Sequence, residues 1–232
     1  MRTVSCFSRI GLALLPLLAL LAAEPAAAGC GDSPGVGVDW SKCEKRRLVL
    51  RGHDLSGGIF LRTDFSLSDL ANAKLVEANM TEAHLMHARL AGADLSGAVL
   101  TKASGDRANF RGAILRGADV SKAEMDRSDF TGADFTGANL QKTELGRSVL
   151  KEAVLDGADL TRAEIARAIF KGASLKGTNL AGAYTYLTRF EGTDLSQVKG
   201  LVQRQLDDAC GDAETKLPEG LSRPESWPCG QE

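Results

Sequence analysis

The sequence predicts an all-β fold, a quadrilateral parallel β-helix of about 7.5 coils that ends in a short C-terminal α-helical cap. Three regularities lead to this prediction. Every fifth residue from Leu50 to Leu195 is Leu, Ile, Val, Met or Phe, with Gly105 and Thr185 as the two exceptions. A small residue, usually alanine, stands two positions before each of these large residues from Phe60 onward. The second residue after each large one follows the order glycine, glycine, basic, basic over four successive blocks of twenty residues, with one departure.

A period of five is explained by short extended sides that are joined at corners. Residues two apart in extended chain point to the same face, so the small and the large residue both point inward. The residue between them points outward, and the remaining two turn the corner, which is why they are often glycine or polar. Five residues therefore form one side, and the repeat of twenty indicates four sides in each coil.

Several segments resemble the repeat of a known family. The sequences "GADL" (92–95 and 157–160), "GADF" (132–135) and "GANL" (137–140) match A-(D/N)-L-x-x, the signature of the pentapeptide repeat proteins. The resemblance covers about two thirds of the chain and implies that the β-helix is right-handed. With neighbouring strands ~4.8 Å apart, the predicted coils make a rod ~36 Å long.

The N-terminus has the features of an export signal. Residues 1–28 combine basic Arg2 and Arg9, an apolar stretch and an A-x-A motif, which predicts a signal peptide cleaved after Ala28. The alternative is a lipoprotein that is anchored through Cys30, since this cysteine follows "AAG". No later segment is apolar enough to predict a transmembrane span.

The ends of a solenoid must be covered to prevent polymerisation, and the flanking segments are predicted to do this. We expect an N-terminal cap over 29–46, which shows no fivefold frame, then the β-helix over 47–197 and a C-terminal helix and tail cap over 198–232. The helix is predicted within 195–211. Its apolar stripe consists of Val198, Leu201, Val202 and Leu206.

All four cysteines that follow the signal peptide lie in the predicted caps. A disulfide requires Cα atoms within ~7 Å of each other, whereas the two ends of the rod are ~36 Å apart. Of the three possible pairings, only the disulfides Cys30–Cys43 and Cys210–Cys229 meet this requirement. Metal binding is the alternative, but these cysteines lack C-x₂-C spacing and nearby histidines.

The interior is predicted to be a packed core without a pocket for an active site. One inward stack reads Leu90, Phe110, Phe130, Leu150, Phe170, Phe190. Gly105 removes a side chain where the neighbouring coils carry Leu85 and Met125, so we expect a bend or a loosened turn there, with a ligand slot as the alternative. For Thr185, which lies between two tyrosines, we expect packing under the C-terminal cap, with binding as the alternative.

The most organised outer surface is a set of charged columns on one side, which we call the strip. With Asp106 and Asp126, this side carries eight positive and five negative groups, whereas the exported chain has a net charge of −3. The strip is a candidate docking surface for an anionic partner; the alternative is a solvated ladder whose charges neutralise one another, since exposed ion pairs contribute little. The strip consists of Lys102, Arg107, Lys122, Glu124, Arg127, Lys142, Glu144, Arg147, Arg162, Glu164 and Arg167.

These features favour an exported, non-catalytic protein that acts as a protein-interaction or structural scaffold in the periplasm or as a secreted protein. We expect no catalytic residues, no cofactor and no metal ligands. The expected partner is an unknown protein or an anionic component of the cell envelope, and not nucleic acid. The oligomeric state is left open.

Two other functions are weighed against the scaffold. The family resemblance implies that a member can mimic a DNA duplex and protect a type II topoisomerase, but the export signal and the weak net charge disfavour this function here. An enzyme with its site in the caps is the third hypothesis. It would use the carboxylates of Asp207, Asp208, Asp212 and Glu214, which are ordinary groups for the solvated end of a helix.

Overall fold

The computed structural model describes residues 29–230, so the predicted signal peptide, 1–28, lies outside the described residues. One five-residue frame runs without insertion from 36 to 199. Each outward residue from Asp39 to Asn179 forms a parallel β-bridge with the residue twenty positions later. Four sides therefore make one coil, and the predicted quadrilateral parallel β-helix is confirmed.

Each side is held by hydrogen bonds to the coils before and after it. In the side centred on Phe130, for example, the backbone N–H of Phe130 donates to the carbonyl of Val149 at 2.7 Å, and that of Asp129 donates to the carbonyl of Ala108 at 3.0 Å. Because the side is so short, these two bonds and the one at its corner satisfy most of its backbone.

The aspartate or asparagine of the repeat signature stabilises the corner that follows it. Asp134 Oδ1 accepts hydrogen bonds from the backbone N–H of Thr136 at 2.9 Å and from its hydroxyl at 2.6 Å. This is an Asx turn, in which a short side chain replaces a backbone acceptor. The same pair of bonds occurs at Asp39, Asp54, Asp94, Asp129, Asp159 and Asp194.

The interior is packed as predicted. The rings of Phe110 and Phe130 stack at a centroid distance of 4.8 Å and an angle of 15°, which is the spacing of neighbouring strands. Where serine or threonine replaces the inward alanine, its buried hydroxyl donates to the carbonyl of the large residue one coil earlier, as Ser148 does to Met125 at 2.8 Å. This solution for buried hydroxyls was not evident from the sequence, although it follows from the high cost of an unpaired buried polar group.

The coil at Gly105 is regular, so the expected bend or loosened turn is wrong. The backbone N–H of Gly105 donates to Glu124 at 2.7 Å, and that of Leu85 donates to Ser104 at 2.6 Å. A Cβ at position 105 would overlap the sulfur of Met125. The flexible methionine side chain thus occupies the space that glycine leaves, and the ligand slot is absent as well.

The frame begins earlier than the predicted boundary at residue 47. Trp40 and Lys45 occupy the inward large positions of two further sides, and Asp39 and Glu44 bridge to the next coil. The ammonium group of Lys45 lies 3.8 Å from the centroid of the Trp40 ring and donates to the carbonyl of Cys30 at 2.7 Å. Of the predicted cap over 29–46, only 29–35 lies outside the five-residue frame. The sequence did not reveal the earlier start, because Trp40 and Lys45 differ from the large aliphatic residues and phenylalanines at the other inward positions.

The C-terminal helix is much shorter than the predicted 195–211. Helix α1 spans Gln203–Asp207, because Leu195 to Lys199 continues the solenoid and Gly200, with φ of 69°, turns the chain away. Val202, predicted on the apolar stripe, is 54% exposed. Beyond α1 the chain stacks again through Arg189↔Cys210 and Asp194↔Lys216, so coil packing extends past the predicted boundary at 197.

Helix α1 covers the end of the solenoid through a buried glutamine. Gln205 Nε2 donates to the carbonyls of Leu180 at 2.9 Å and Ala183 at 2.8 Å. The hydroxyl of Thr185 donates to the carbonyl of Gln205 at 2.7 Å, which agrees with the expected packing of Thr185 under this cap. The bond to Ala183 satisfies a carbonyl that no further coil is present to pair, whereas the carbonyl of Leu180 also accepts from the backbone N–H of Ala183 at 3.1 Å.

The structure brings together both predicted pairs of cysteines at the two ends of the rod. The Cα atoms of Cys30 and Cys43 are 5.4 Å apart, and those of Cys210 and Cys229 are 5.5 Å apart. Both distances are typical of disulfides. Between residues 29 and 230, no helix has the length and apolar character needed to cross a bilayer.

Candidate interaction strip

The residues of the strip lie on one side of the rod, and all of them are exposed. The side is formed by the stacked centres Gly105, Met125, Leu145 and Ile165. Its acidic column is aligned by the bridges Glu124↔Glu144 and Glu144↔Glu164. The two basic columns run along the corners before and after this side.

The basic columns occupy a backbone conformation that favours glycine. All eight lysines and arginines of the strip have φ between 54° and 59°, in the left-handed region. At the corners of the opposite side, the equivalent positions mostly carry glycines, such as Gly112 and Gly132 with φ of 62° and 67°, although Glu152 also occupies one of them. The left-handed conformation costs a residue with a Cβ roughly 1–2 kcal/mol, and glycine avoids this cost. The strip therefore carries its cations at positions where they destabilise the fold.

The charges of the strip are almost entirely without ion-pair partners. Elsewhere on the rod, arginines pair with outward carboxylates, as Arg111 does with Asp129 at 3.0 Å and Arg116 does with Asp134 at 2.6 Å. Over residues 29–230, the one ion pair of the strip joins Lys102 to Glu82, which lies outside it, at 3.6 Å. Over the described residues, the charges of the strip therefore form no direct ion pairs with one another.

The acidic column results from one change in the repeat. Glutamate stands in the position that carries aspartate or asparagine in the signature, and Glu124, Glu144 and Glu164 make none of the Asx-turn bonds seen for Asp134 over the described residues. Burial, followed by the negative charges of Glu124, Asp126, Glu164 and Asp106, raises the pKa of Glu144. The cations on the two corners do not offset this repulsion. Both signs of charge are thus available to a partner.

One carboxylate of the C-terminal cap, that of Asp212, is hydrogen-bonded to the backbone around it. Asp212 Oδ1 accepts from the backbone N–H of Gly192 at 3.0 Å and of Thr215 at 2.9 Å. Burial would raise the pKa of Asp212, but these hydrogen bonds outweigh it and hold the pKa below its ordinary value. Among residues 29–230, no three His, Cys, Asp or Glu side chains are grouped so that they could hold a metal ion.

Comparison with known families agrees with the coil geometry. The family described as pentapeptide repeats matches the chain in eight copies, over residues 49–85, 63–101, 83–121, 106–141, 128–165 and 162–199. The chain therefore belongs to the pentapeptide repeat family. Members of this family fold as right-handed β-helices, which gives the handedness of the coil. No protein with a curated description matches the sequence significantly.

Solved structures with the same fold come from several sources. HetL, a pentapeptide repeat protein involved in heterocyst differentiation regulation from the cyanobacterium Nostoc sp. strain PCC 7120, is 27% identical, with a TM-score of 0.51 over 77% of this chain and 89% of HetL. QnrB1, a plasmid-mediated fluoroquinolone resistance protein, is 20% identical, with a TM-score of 0.45 over 74% of this chain and 83% of QnrB1. A pentapeptide repeat protein from the thylakoid lumen of Arabidopsis thaliana is 28% identical, with a TM-score of 0.17 over 60% of this chain and 68% of that protein.

Proposed function

We propose that the protein is an exported, non-catalytic scaffold whose strip docks an anionic partner. One observation carries the proposal: the eight cations of the strip hold left-handed backbone positions, and, over residues 29–230, seven of them have no ion-pair partner. A purely structural repeat is more stable with glycine at these positions. Unpaired cations in two parallel columns provide the charge complementarity that attracts and orients an anionic partner.

Export is supported by the sequence and by the cysteines. The predicted signal peptide precedes a chain whose four cysteines lie in two pairs at disulfide distance. Disulfides persist in oxidising compartments such as the periplasm and the extracellular space. The mass of the exported protein tests this part: we expect a chain that begins at Gly29 and has no free thiol. A lipid on Cys30, or two free thiols, would contradict it.

DNA mimicry is disfavoured by the sign of the strip. A protein that imitates a duplex must present negative charge along its length, since DNA carries one charge per ~1.7 Å of helix axis. Here two columns of cations line one side over four coils.

Reversal of two strip charges tests docking. The double variant Arg127→Glu and Arg147→Glu should weaken binding to immobilised polyphosphate about tenfold, because each exposed charge contributes up to about 1 kcal/mol. The matched control is Lys171→Glu with Lys176→Glu, which makes the same change in net charge on the opposite side, where neither lysine has an ion pair in the described structure. The control should bind as the unmodified protein does. Equal loss in both variants would show attraction by net charge alone and refute docking on the strip.

A further inference from the structure

A groove lies at the C-terminal end of the strip. It has a volume of about 390 Å³ and runs along the corner after the strip side. It exists because Gly146 and Ala166 occupy the first corner position, which is filled by Asp126 in the coil before them and by Tyr186 in the coil after them. Two small residues in successive coils thus open a trough between larger side chains.

An aromatic pair, which we call the platform, stands at one end of this groove: the ring of Tyr186 lines the groove, and that of Tyr184 lies beside it. Tyr184 and Tyr186 are 53% and 44% exposed, and their rings are nearly parallel, with centroids 6.3 Å apart and an angle of 14°. The residue between them, Thr185, is 2% exposed and donates to the carbonyl of Gln205 under the C-terminal cap. The backbone that carries both rings is therefore fixed, which lowers the entropic cost of binding.

Charged side chains line the groove beside the platform. Arg147 and Arg167 belong to one basic column, and Glu164 to the acidic column. Within residues 29–230, none of the three has an ion pair, and neither tyrosine hydroxyl is hydrogen-bonded to the protein. The guanidinium groups suit a carboxylate, which they bind in a bidentate manner. The Glu164 carboxylate and the tyrosine hydroxyls suit ligand hydroxyl groups.

We infer that this groove and its tyrosine pair bind an acidic polysaccharide. A sugar ring has an apolar face, a rim of hydroxyl groups and, in a uronic acid, one carboxylate. The platform can pack on the apolar face, Glu164 can accept hydrogen bonds from the hydroxyl groups, and the arginines can bind the carboxylate. The coils repeat every ~4.8 Å, so a polymer with one charge per unit can meet successive arginines. A protein partner is less well suited, since the groove offers no apolar pocket for the buried anchor on which protein interfaces depend.

This inference rests on the proposed function, because it assigns the anionic partner of the strip to one chemical class. The probe is polygalacturonate, embedded in native gels through which the chain of residues 29–232 migrates. Dextran gels test stacking on a neutral sugar, and polyphosphate gels test charge without a sugar. We expect strong retardation by polygalacturonate that decreases with salt, and weak retardation by dextran.

Two variants separate the platform from the charges. Tyr184→Ala with Tyr186→Ala should weaken binding to polygalacturonate about tenfold, because stacking on an aromatic ring contributes about 1 kcal/mol or more, and should leave binding to polyphosphate unchanged. Tyr184→Phe with Tyr186→Phe keeps the rings and should lose no more than about threefold. If the alanine variant binds polygalacturonate as the unmodified protein does, the inference is overturned while docking on the strip stands. If neither polyanion is bound, both proposals fail.

Discussion

The left-handed cations of the strip provide the sharpest test of whether this surface is functional. Consider the double variant Arg127→Gly and Arg147→Gly, at φ of 56° and 59°. Each arginine in this conformation lowers the stability of the fold by roughly 1–2 kcal/mol. Glycine avoids this cost but lowers stability by about 0.5–1 kcal/mol, because it gives the unfolded chain more conformational freedom. The net gain is about 0.5–1 kcal/mol per site, so the double variant should be about 1–2 kcal/mol more stable.

Equilibrium unfolding in urea, followed by circular dichroism with both disulfides intact, measures this gain. For a chain of this length, it corresponds to a rise in Tm of about 3–6 °C. The matched control is Glu152→Gly, which removes a left-handed residue with φ of 57° on a corner of the opposite side. It should gain about 0.5–1 kcal/mol and leave polyanion binding unchanged, whereas the double variant should weaken that binding about threefold, since it removes two charges without reversing them.

The reasoning fails if the control gains stability and the double variant does not. In that case the arginine stems would contribute packing that offsets the backbone cost, and the strip would be as stable as a glycine corner. The argument that these cations are kept for binding would then lose its basis. Retention of polyanion binding by the double variant would be equally damaging.

Two further predictions concern the core and the titrating groups. Gly105→Leu alone should destabilise the fold by about 1–3 kcal/mol through overpacking, and Met125→Ala alone should destabilise it by about 2–5 kcal/mol. The double variant should lose much less stability than the sum of these two losses, because leucine fills the space left by methionine. Additive losses in urea unfolding would show that the two sites do not share this space. Burial and the neighbouring negative charges disfavour the charged form of Glu144 and so raise its pKa. Glu144→Gln should therefore raise the free energy of unfolding at pH 7 and have no effect below about pH 4, where this carboxyl group is protonated. Asp194→Asn should lower the free energy of unfolding. Hydrogen bonds from Ser196, with the ion pair to Lys216, lower the pKa of Asp194 to about 2, so its charged form stabilises the fold. The loss of stability in the variant should therefore be full above pH 3.8 and should vanish as the pH falls through about 2. Equal effects at pH 3 and pH 7 for either carboxylate would contradict the assignment.

The sequence was sufficient for the coil because its rule is local and repeated. An inward residue at every fifth position has only one face to occupy, so the positions of Phe110 and Phe130 followed directly. The rule of a large apolar residue at every fifth position failed where a residue of another type fills the inward position. Lys45 sits at an inward position with its ammonium group on the Trp40 ring and a carbonyl of the N-terminal segment, and no periodicity predicts such contacts.

The candidate site was only half predictable, for a related reason. Stacking at strand spacing placed the charged columns, since position in the frame fixes which residues point outward. Whether Arg147 meets Glu164 or remains unpaired depends on side-chain rotamers, which the frame does not determine. The groove was missed, although the small residues Gly146 and Ala166 at one corner, with Tyr186 after them, are visible in the sequence. The length of helix α1 was also missed, because its predicted stripe included residues that the solenoid retains.

The outer surface of the rod repeats every twenty residues, and the repeated residues include some that destabilise the fold. Duplication of one coil explains why neighbouring coils resemble each other, but it does not explain why destabilising residues persist in each copy. Glutamate in place of aspartate gives up the turn bonds seen at Asp134, and Lys or Arg in place of glycine adds backbone strain at two corners of the four successive coils that form the strip. Natural proteins tolerate such residues as long as stability stays above the level that function requires, so the pattern of charge, and not the strain alone, points to binding. Non-glycine residues such as Asn72, Glu77 and Glu152 adopt the left-handed conformation on the opposite side as well, but every left-handed lysine and arginine among residues 29–230 lies in the two columns to which the strip belongs. The two columns of cations present positive charge at the spacing of the coils, which suits a repeating polyanion, whereas the acidic column between them opposes such a ligand and limits where along the corner it can bind.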